Sequence, residues 1–182
     1  HRERIAEISA HPVEAIDREP AEAGEAPYRL ALRNLSYRHS PTDRWLFSDV
    51  NIDIQSGQWV ALHAPSGIGK TTLISILGGL LEPSEGSLLC NGREVKNWLE
   101  SYRRSIGAVL QADGLLSGTL AENICFFDSH PDRQRIEQVA RIADIHDDIV
   151  TWPLGYFSRI AELDHSLSGG QVQRLLIARA LY

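Results

Sequence analysis

Segments with the apolar patterns of strands predominate up to about residue 112, and segments with apolar residues at helical spacing predominate after it. Leu30–Tyr37 and Val50–Ile54 carry apolar residues at alternate positions, which predicts two half-buried strands. Gln58–His63 and Ile106–Leu110 are short apolar runs, and such runs predict strands that are buried on both faces. The first part of the chain is therefore expected to contain a sheet.

Turn and helix signals divide the rest of the chain. An Asn-Gly pair at positions 91–92 predicts a hairpin after Gly86–Cys90. A helix is predicted over Lys70–Leu77, where two glycines follow its last residue. Residues 131–152 place apolar side chains at helical spacing, and residues 167–182 form a helical pattern opened by a serine N-cap.

These elements predict an α/β fold in two parts. Residues 28–112 are expected to form a P-loop nucleotide-binding core, a mixed β-sheet around the helix at 70–77, and residues 113–182 a helical subdomain. Residues 1–27 hold seven acidic residues and three arginines with little apolar periodicity, which predicts an acidic linker from an upstream domain. Because the chain has no methionine and begins at His1, we expect a fragment with an incomplete domain.

Composition excludes several functional classes. With 43% hydrophobic and 23% charged residues, the chain is expected to be globular. Its apolar stretches are shorter than the roughly 20 residues that span a bilayer. The net charge of −6 and the lack of a basic run argue against a nucleic-acid partner. Cys90 and Cys125 lie far apart in sequence, which predicts reduced core thiols.

A glycine-rich loop, A-P-S-G-I-G-K-T, carries the first chemical signal. In such a loop the backbone N–H groups cradle phosphates, a lysine supplies positive charge and a hydroxyl ligates Mg²⁺. The alternative for the loop alone is a glycine-rich turn with a solvated lysine. Alanine stands where the first glycine is usual, and because the residue before a proline favours extended angles, we expect weakened rather than abolished binding. The predicted ATP-binding residues are Ala64, Pro65, Ser66, Gly67, Ile68, Gly69, Lys70, Thr71 and Thr72, with Thr71 as a Mg²⁺ ligand.

A second anion-binding motif, L-S-G-G-Q, opens the last predicted helix. It also fits a plain N-cap, but the Ser168 hydroxyl and the N–H groups of Gly169 and Gly170 suit a phosphate. Nothing in its own chain is obviously placed to fill this receptor. The two motifs in this order predict an ATP-binding domain that closes as a dimer around nucleotide.

Both motifs, together with Gln173-Arg174 and Ile177–Leu181, resemble the nucleotide-binding domain of ABC transporters from about Tyr28 to Tyr182. The resemblance implies that two such domains sandwich two ATP molecules, with the signature of one chain on the γ-phosphate held by the other. It assigns that contact to Ser168, Gly169, Gly170 and Gln171. It also implies that Gln111 senses Mg²⁺ and contacts the membrane domain, and that the adenine-stacking position falls at His39.

Residues 115–128 and 145–149 most resemble exporters of the colicin V and bacteriocin type, many of which carry a cysteine-peptidase domain. This likeness implies ATP-driven peptide export by a homodimer. Its membrane contact would run only through a transmembrane domain of the same parent chain. The expected location is the cytoplasmic face of the bacterial inner membrane.

The resemblance places the catalytic glutamate and the switch histidine beyond Tyr182, so the chain is expected to bind ATP without efficient hydrolysis, and no catalytic residue is assigned.

Two other functions stay open. Ala64, His39 and Asp164 depart from the family pattern and allow a degenerate ATP-binding or regulatory module. A soluble ABC-type ATPase of DNA maintenance usually separates its motifs by long coiled coils, whereas no heptad pattern lies between them here.

Overall fold

The computed structural model describes residues 27–163 and 167–182. It divides into two compact units, with the division between Ile106 and Gly107. The sequence pattern places this change at residue 112. The predicted linker, residues 1–27, lies almost wholly outside the described residues, as does Asp164.

A four-stranded antiparallel sheet organises the first unit. Its strands are β1 (Leu30–Tyr37), β2 (Phe47–Ile54), β3 (Glu85–Cys90) and β4 (Arg93–Glu94), in the order β2-β1-β3-β4. The alternation that predicted the first two strands places Leu32 and Leu35 in the core. These two strands and the hairpin after Cys90 are confirmed.

The hairpin turn forms where the sequence predicts it. Asn91 and Gly92 have φ angles of 50° and 80°. Two consecutive left-handed residues match the two-residue turn that joins tightly twisted strands, and asparagine and glycine adopt this conformation most readily. The turn therefore sets the pairing of Cys90 with Arg93.

Two helices pack against this sheet. Helix α1 spans Lys70–Leu77, as predicted, and α2 spans Leu99–Arg104 after a short 3₁₀ turn at Val95–Asn97. The hydroxyl of Tyr102 donates to the carbonyl of Leu77 at 2.7 Å. Because Tyr102 is 1% exposed, this bond satisfies a polar group inside the core and ties the two helices together.

The strands predicted over Gln58–His63 and Ile106–Leu110 are wrong. Neither segment pairs with another strand, and Trp59 is fully exposed. A strand buried on both faces needs ladder partners beside it, and within residues 27–163 and 167–182 these segments have none. The α/β fold around the P-loop helix is confirmed, but the sheet formed by the described residues is antiparallel throughout.

The second unit is helical. Its helices are α3 (Leu120–Ile124), α4 (Arg133–Ile142), α5 (His146–Thr151), α6 (Ile160–Leu163) and α7 (Gly169–Leu181), with a 3₁₀ turn at Gly155–Phe157. The helical pattern over 131–152 is divided between α4 and α5, because Asp144 adopts a left-handed φ of 56°. In the described part of the chain, no helix is both long and apolar enough to cross a bilayer.

Candidate nucleotide-binding site

The glycine-rich loop turns at Ser66-Gly67 and leads directly into α1. Gly69, the residue before the helix, has a φ of 95°. A Cβ at this position would lie 2.8 Å from the side chain of Leu46 and 3.0 Å from that of Phe47. Because this backbone angle is strained for other residues and an added Cβ would displace the Leu46 side chain, glycine is the residue that fits this loop shape best. The packing role of Leu46 was not predicted.

The ammonium group of Lys70 is held at the loop by backbone oxygens. Its Nζ donates to the carbonyl of Ala64 at 2.6 Å and to that of Pro65 at 2.7 Å. An ammonium group has three N–H donors, so one remains for a phosphate oxygen. The structure therefore brings Ala64, Pro65 and Lys70 together, and the alanine at the usual glycine position still accepts a hydrogen bond from Lys70 through its carbonyl.

The loop and the start of α1 fit a magnesium–nucleotide complex. Thr71 and Thr72 lie in the first turn of α1, which contains no acidic residue to repel phosphate. Among residues 27–163 and 167–182, no cluster of His, Cys, Asp and Glu could hold a metal ion alone. Magnesium commonly binds through few protein oxygens together with phosphate and water. The Thr71 hydroxyl lies in the first turn of α1, and its role as the Mg²⁺ ligand stays a prediction.

His39 lies two residues beyond the end of β1. It is exposed, while Tyr37 is buried. The ring of Tyr37 stacks on Phe47 at 6.1 Å, and its edge-to-face contact with His39 has a centroid distance of 5.3 Å. Since Phe47 also approaches Gly69, this aromatic cluster adjoins the P-loop. Adenine stacking at His39 stays a prediction.

The signature motif forms the N-terminus of α7. The Ser168 Oγ accepts the backbone N–H of Gln171 at 3.2 Å, and the Ser168 N–H donates to the Gln171 Oε1 at 2.9 Å. This capping box confirms the predicted N-cap. Within residues 27–163 and 167–182, the hydroxyl hydrogen of Ser168 and the N–H groups of the exposed Gly169 and Gly170 have no hydrogen-bond acceptor, whereas the side-chain oxygen of Gln171 is occupied within the cap. Phosphate binding by Ser168, Gly169 and Gly170 stays a prediction.

The residues after Gln111 form a second capped segment. Gln111 is exposed in a turn. At the start of α3, Thr119 and Glu122 form another capping box, and the hydrogen bonds from the Thr119 N–H and hydroxyl lower the pKa of Glu122. The Thr-x-x-Glu spacing is readable in the sequence. The buried Asn123 and its partner Arg179 were also missed, and no sequence pattern connects them.

Comparison with known proteins gives consistent results. Residues 47–182 match the ABC transporter family. The chain is 42% identical to the probable microcin-H47 secretion/processing ATP-binding protein MchF and to the colicin V secretion/processing ATP-binding protein CvaB, both of Escherichia coli, with 100% of the chain and 26% of each relative covered. It thus spans about a quarter of these relatives' length. A bacterial Atm1-family ABC exporter with ATP bound is similar in structure, with a TM-score of 0.83, 30% identity, and coverage of 99% of this chain and 32% of that one.

Proposed function

Because the chain belongs to the ABC transporter family and binds ATP as a member of it, we propose that it is the motor domain of a peptide exporter that closes head to tail with a second copy around two ATP molecules. One observation carries the proposal. Two segments with phosphate-binding chemistry lie in separate compact units, the P-loop in the first and the exposed Ser168 end of α7 in the second. Each segment alone supplies only part of the contacts that a complete ATP site needs.

In the proposed dimer, the two segments act on different parts of ATP. The P-loop N–H groups and Lys70 hold the β- and γ-phosphates. The Ser168 hydroxyl and the free N–H groups of α7 in the other chain reach the γ-phosphate, where the positive end of the helix favours negative charge. ADP has no γ-phosphate, so hydrolysis removes the second contact and favours dimer opening.

A membrane domain of the parent protein is the proposed partner of the segment that follows Gln111. Within this segment the large apolar side chains of Leu116, Phe126 and Phe127 are 45%, 64% and 45% exposed. Phe126 and Phe127 also have left-handed φ angles of 49° and 59°. Adjacent exposed aromatic residues in a constrained backbone are typical of a contact surface for another protein segment.

The proposed cargo is a secreted peptide. The full length of the chain aligns with the MchF and CvaB secretion/processing proteins, whose names refer to microcin H47 and colicin V. The proposed parent protein hydrolyses ATP, lies in the bacterial inner membrane and exposes this domain to the cytoplasm.

Uptake of peptide by inverted membrane vesicles tests this function. Vesicles with the full-length parent protein are expected to accumulate a labelled bacteriocin precursor with ATP, and not with ADP or a non-hydrolysable ATP analogue. A Ser168→Ala variant is expected to bind ATP normally, because its P-loop is unchanged. It is expected to lose most peptide uptake, because it lacks the hydroxyl that contacts the γ-phosphate held by the other chain. Ser48→Ala, in strand β2, is the matched control.

Two results would contradict the proposal. Vesicles that bind ATP but neither hydrolyse it nor take up peptide would indicate a degenerate nucleotide-binding module. Uptake that is equal with and without ATP would separate transport from this domain altogether.

A further inference from the structure

Asn123 is a fully satisfied polar residue inside the apolar core of the second unit. Its side chain is 1% exposed. The Nδ2 group donates to the carbonyls of Leu116 and Thr119, each at 2.9 Å, and Oδ1 accepts the Leu116 N–H at 2.8 Å. One side chain therefore fixes both backbone polar groups of Leu116, a residue of the segment after Gln111. A buried amide without hydrogen-bond partners would destabilise the fold, so these bonds specify the position of the Asn123 side chain.

Arg179, near the end of α7, completes the network. Its Nε donates to the backbone oxygen of Asn123 at 2.8 Å, and one terminal nitrogen donates to Asn123 Oδ1 at 2.7 Å. The other terminal nitrogen donates to the carbonyl of Gly114 at 3.0 Å. The guanidinium carbon also lies 5.5 Å from the centre of the Phe126 ring. The planar, forked guanidinium makes contacts that a single ammonium group could not all reproduce.

This network joins two surfaces that have separate roles in the proposed function, the segment after Gln111 and helix α7. On one side it holds the backbone of Gly114 and Leu116 and contacts the exposed Phe126. On the other side it belongs to α7, whose opposite end is the Ser168 N-cap. A continuous α-helix transmits a displacement along its axis because its successive turns are hydrogen-bonded to one another.

A close backbone approach reinforces the same junction. A Cβ added to Gly107 would lie 2.6 Å from the carbonyl oxygen of Ala180, the residue after Arg179. The chain leading to Gln111 therefore runs against the end of α7 without room for a side chain at Gly107. Both the approach to Gln111 and the segment after it are in contact with one turn of this helix.

We propose that Asn123 and Arg179 are positioning residues that fix the segment after Gln111 to α7, so that this segment and the Ser168 end move as one body. The proposal deepens the function proposed above, because it names the contacts through which a displacement at the membrane-domain surface reaches the phosphate receptor. Neither residue contacts nucleotide in this role.

Distance distributions between two spin labels test this coupling in the 182-residue chain. Labels are placed on Leu116→Cys and Gln173→Cys, two exposed side chains on the segment and on α7. The native cysteines are replaced by alanine in all samples. We expect a narrow single distance for the chain with Asn123 and Arg179, and a distribution at least twice as wide for Arg179→Lys, since lysine keeps the charge but not the forked contacts.

Arg174→Lys is the matched control on the same helix. Arg174 donates to Asp148 at 2.7 Å and forms an ion pair with α5, so its replacement should leave the width unchanged. Asn123→Asp keeps an oxygen for Arg179 but loses the donors to Leu116 and Thr119, and should also widen the distribution. It serves as the test if Arg179→Lys does not fold by circular dichroism.

A distance distribution of unchanged width in Arg179→Lys and Asn123→Asp would overturn the proposal. Equal widening by Arg174→Lys would also overturn it, because the effect would then reflect general loosening of the unit. The measurement needs neither ATP nor a membrane, so its failure is separate from a failure of the proposed function.

Discussion

Replacing Lys70 with methionine is expected to weaken ATP binding by about a hundredfold, or about 2.7 kcal/mol. The loss follows from removal of a charge-assisted hydrogen bond to phosphate, while methionine keeps much of the length of the side chain. The Ala64 and Pro65 carbonyls that now accept from Nζ would also lose their partner. Isothermal titration with Mg²⁺-ATP measures the change.

The chain supplies its own control for this experiment. Lys96 is its other lysine and pairs with Glu94 at 2.7 Å with 61% of its side chain exposed. Lys96→Met removes the same charge from a solvated position and should change the dissociation constant less than twofold. Equal effects of the two substitutions would show that net charge, rather than the P-loop contact, determines affinity.

Replacing Gly86 with alanine is expected to lower the free energy of unfolding by about 3 kcal/mol. Gly86 has a φ of 82°, and its added Cβ would clash with the carbonyl oxygen of Asn34 and lie 2.5 Å from that of Arg33. Both oxygens belong to the strand paired with β3, at the point where the pairing register shifts. The backbone cannot move away without opening the ladder. Urea denaturation measures the loss.

Gly92→Ala separates the two causes of this loss. Gly92 has a similar φ of 80° but no atom within 4 Å of its would-be Cβ, so this variant measures the backbone strain alone. We expect Gly92→Ala to lower the free energy of unfolding by about 1 kcal/mol. If Gly86→Ala costs no more than Gly92→Ala, the steric part of the explanation is wrong.

Elements specified by neighbouring residues were predictable from the sequence. Helix α1 follows from its apolar spacing and the glycines after it, the turn at Asn91-Gly92 from the conformational preference of those two residues, and the start of α7 from the serine N-cap. Each of these depends on a few adjacent residues. The strand over Gln58–His63 was wrongly predicted because an apolar run contains no information on whether another strand lies beside it.

The candidate site was predictable to a similar extent. The loop and signature residues are recognised from spacing, because phosphate binding needs consecutive N–H groups and a nearby charge. The contact of Leu46 with Gly69 and the bonds between Asn123 and Arg179 join residues far apart in sequence. Such packing depends on the tertiary fold, and no local pattern contains it.

In the proposed head-to-tail dimer, the P-loop of one chain faces the signature motif of another across ATP. Two single-cysteine proteins test it, one with Ile68→Cys in the P-loop and one with Leu167→Cys beside Ser168. In both, the native cysteines are replaced by alanine. The two proteins are mixed and oxidised with ATP, with ADP or without nucleotide.

In a head-to-tail dimer, a mixed disulfide is expected to form rapidly with Mg²⁺-ATP, slowly with ADP, and not at all when Lys70→Met is added to the Ile68→Cys chain. The fraction of mixed dimer on a non-reducing gel is the measured quantity. A mixed disulfide that forms at the same rate with and without ATP, or no mixed disulfide under ATP saturation, would contradict the head-to-tail arrangement.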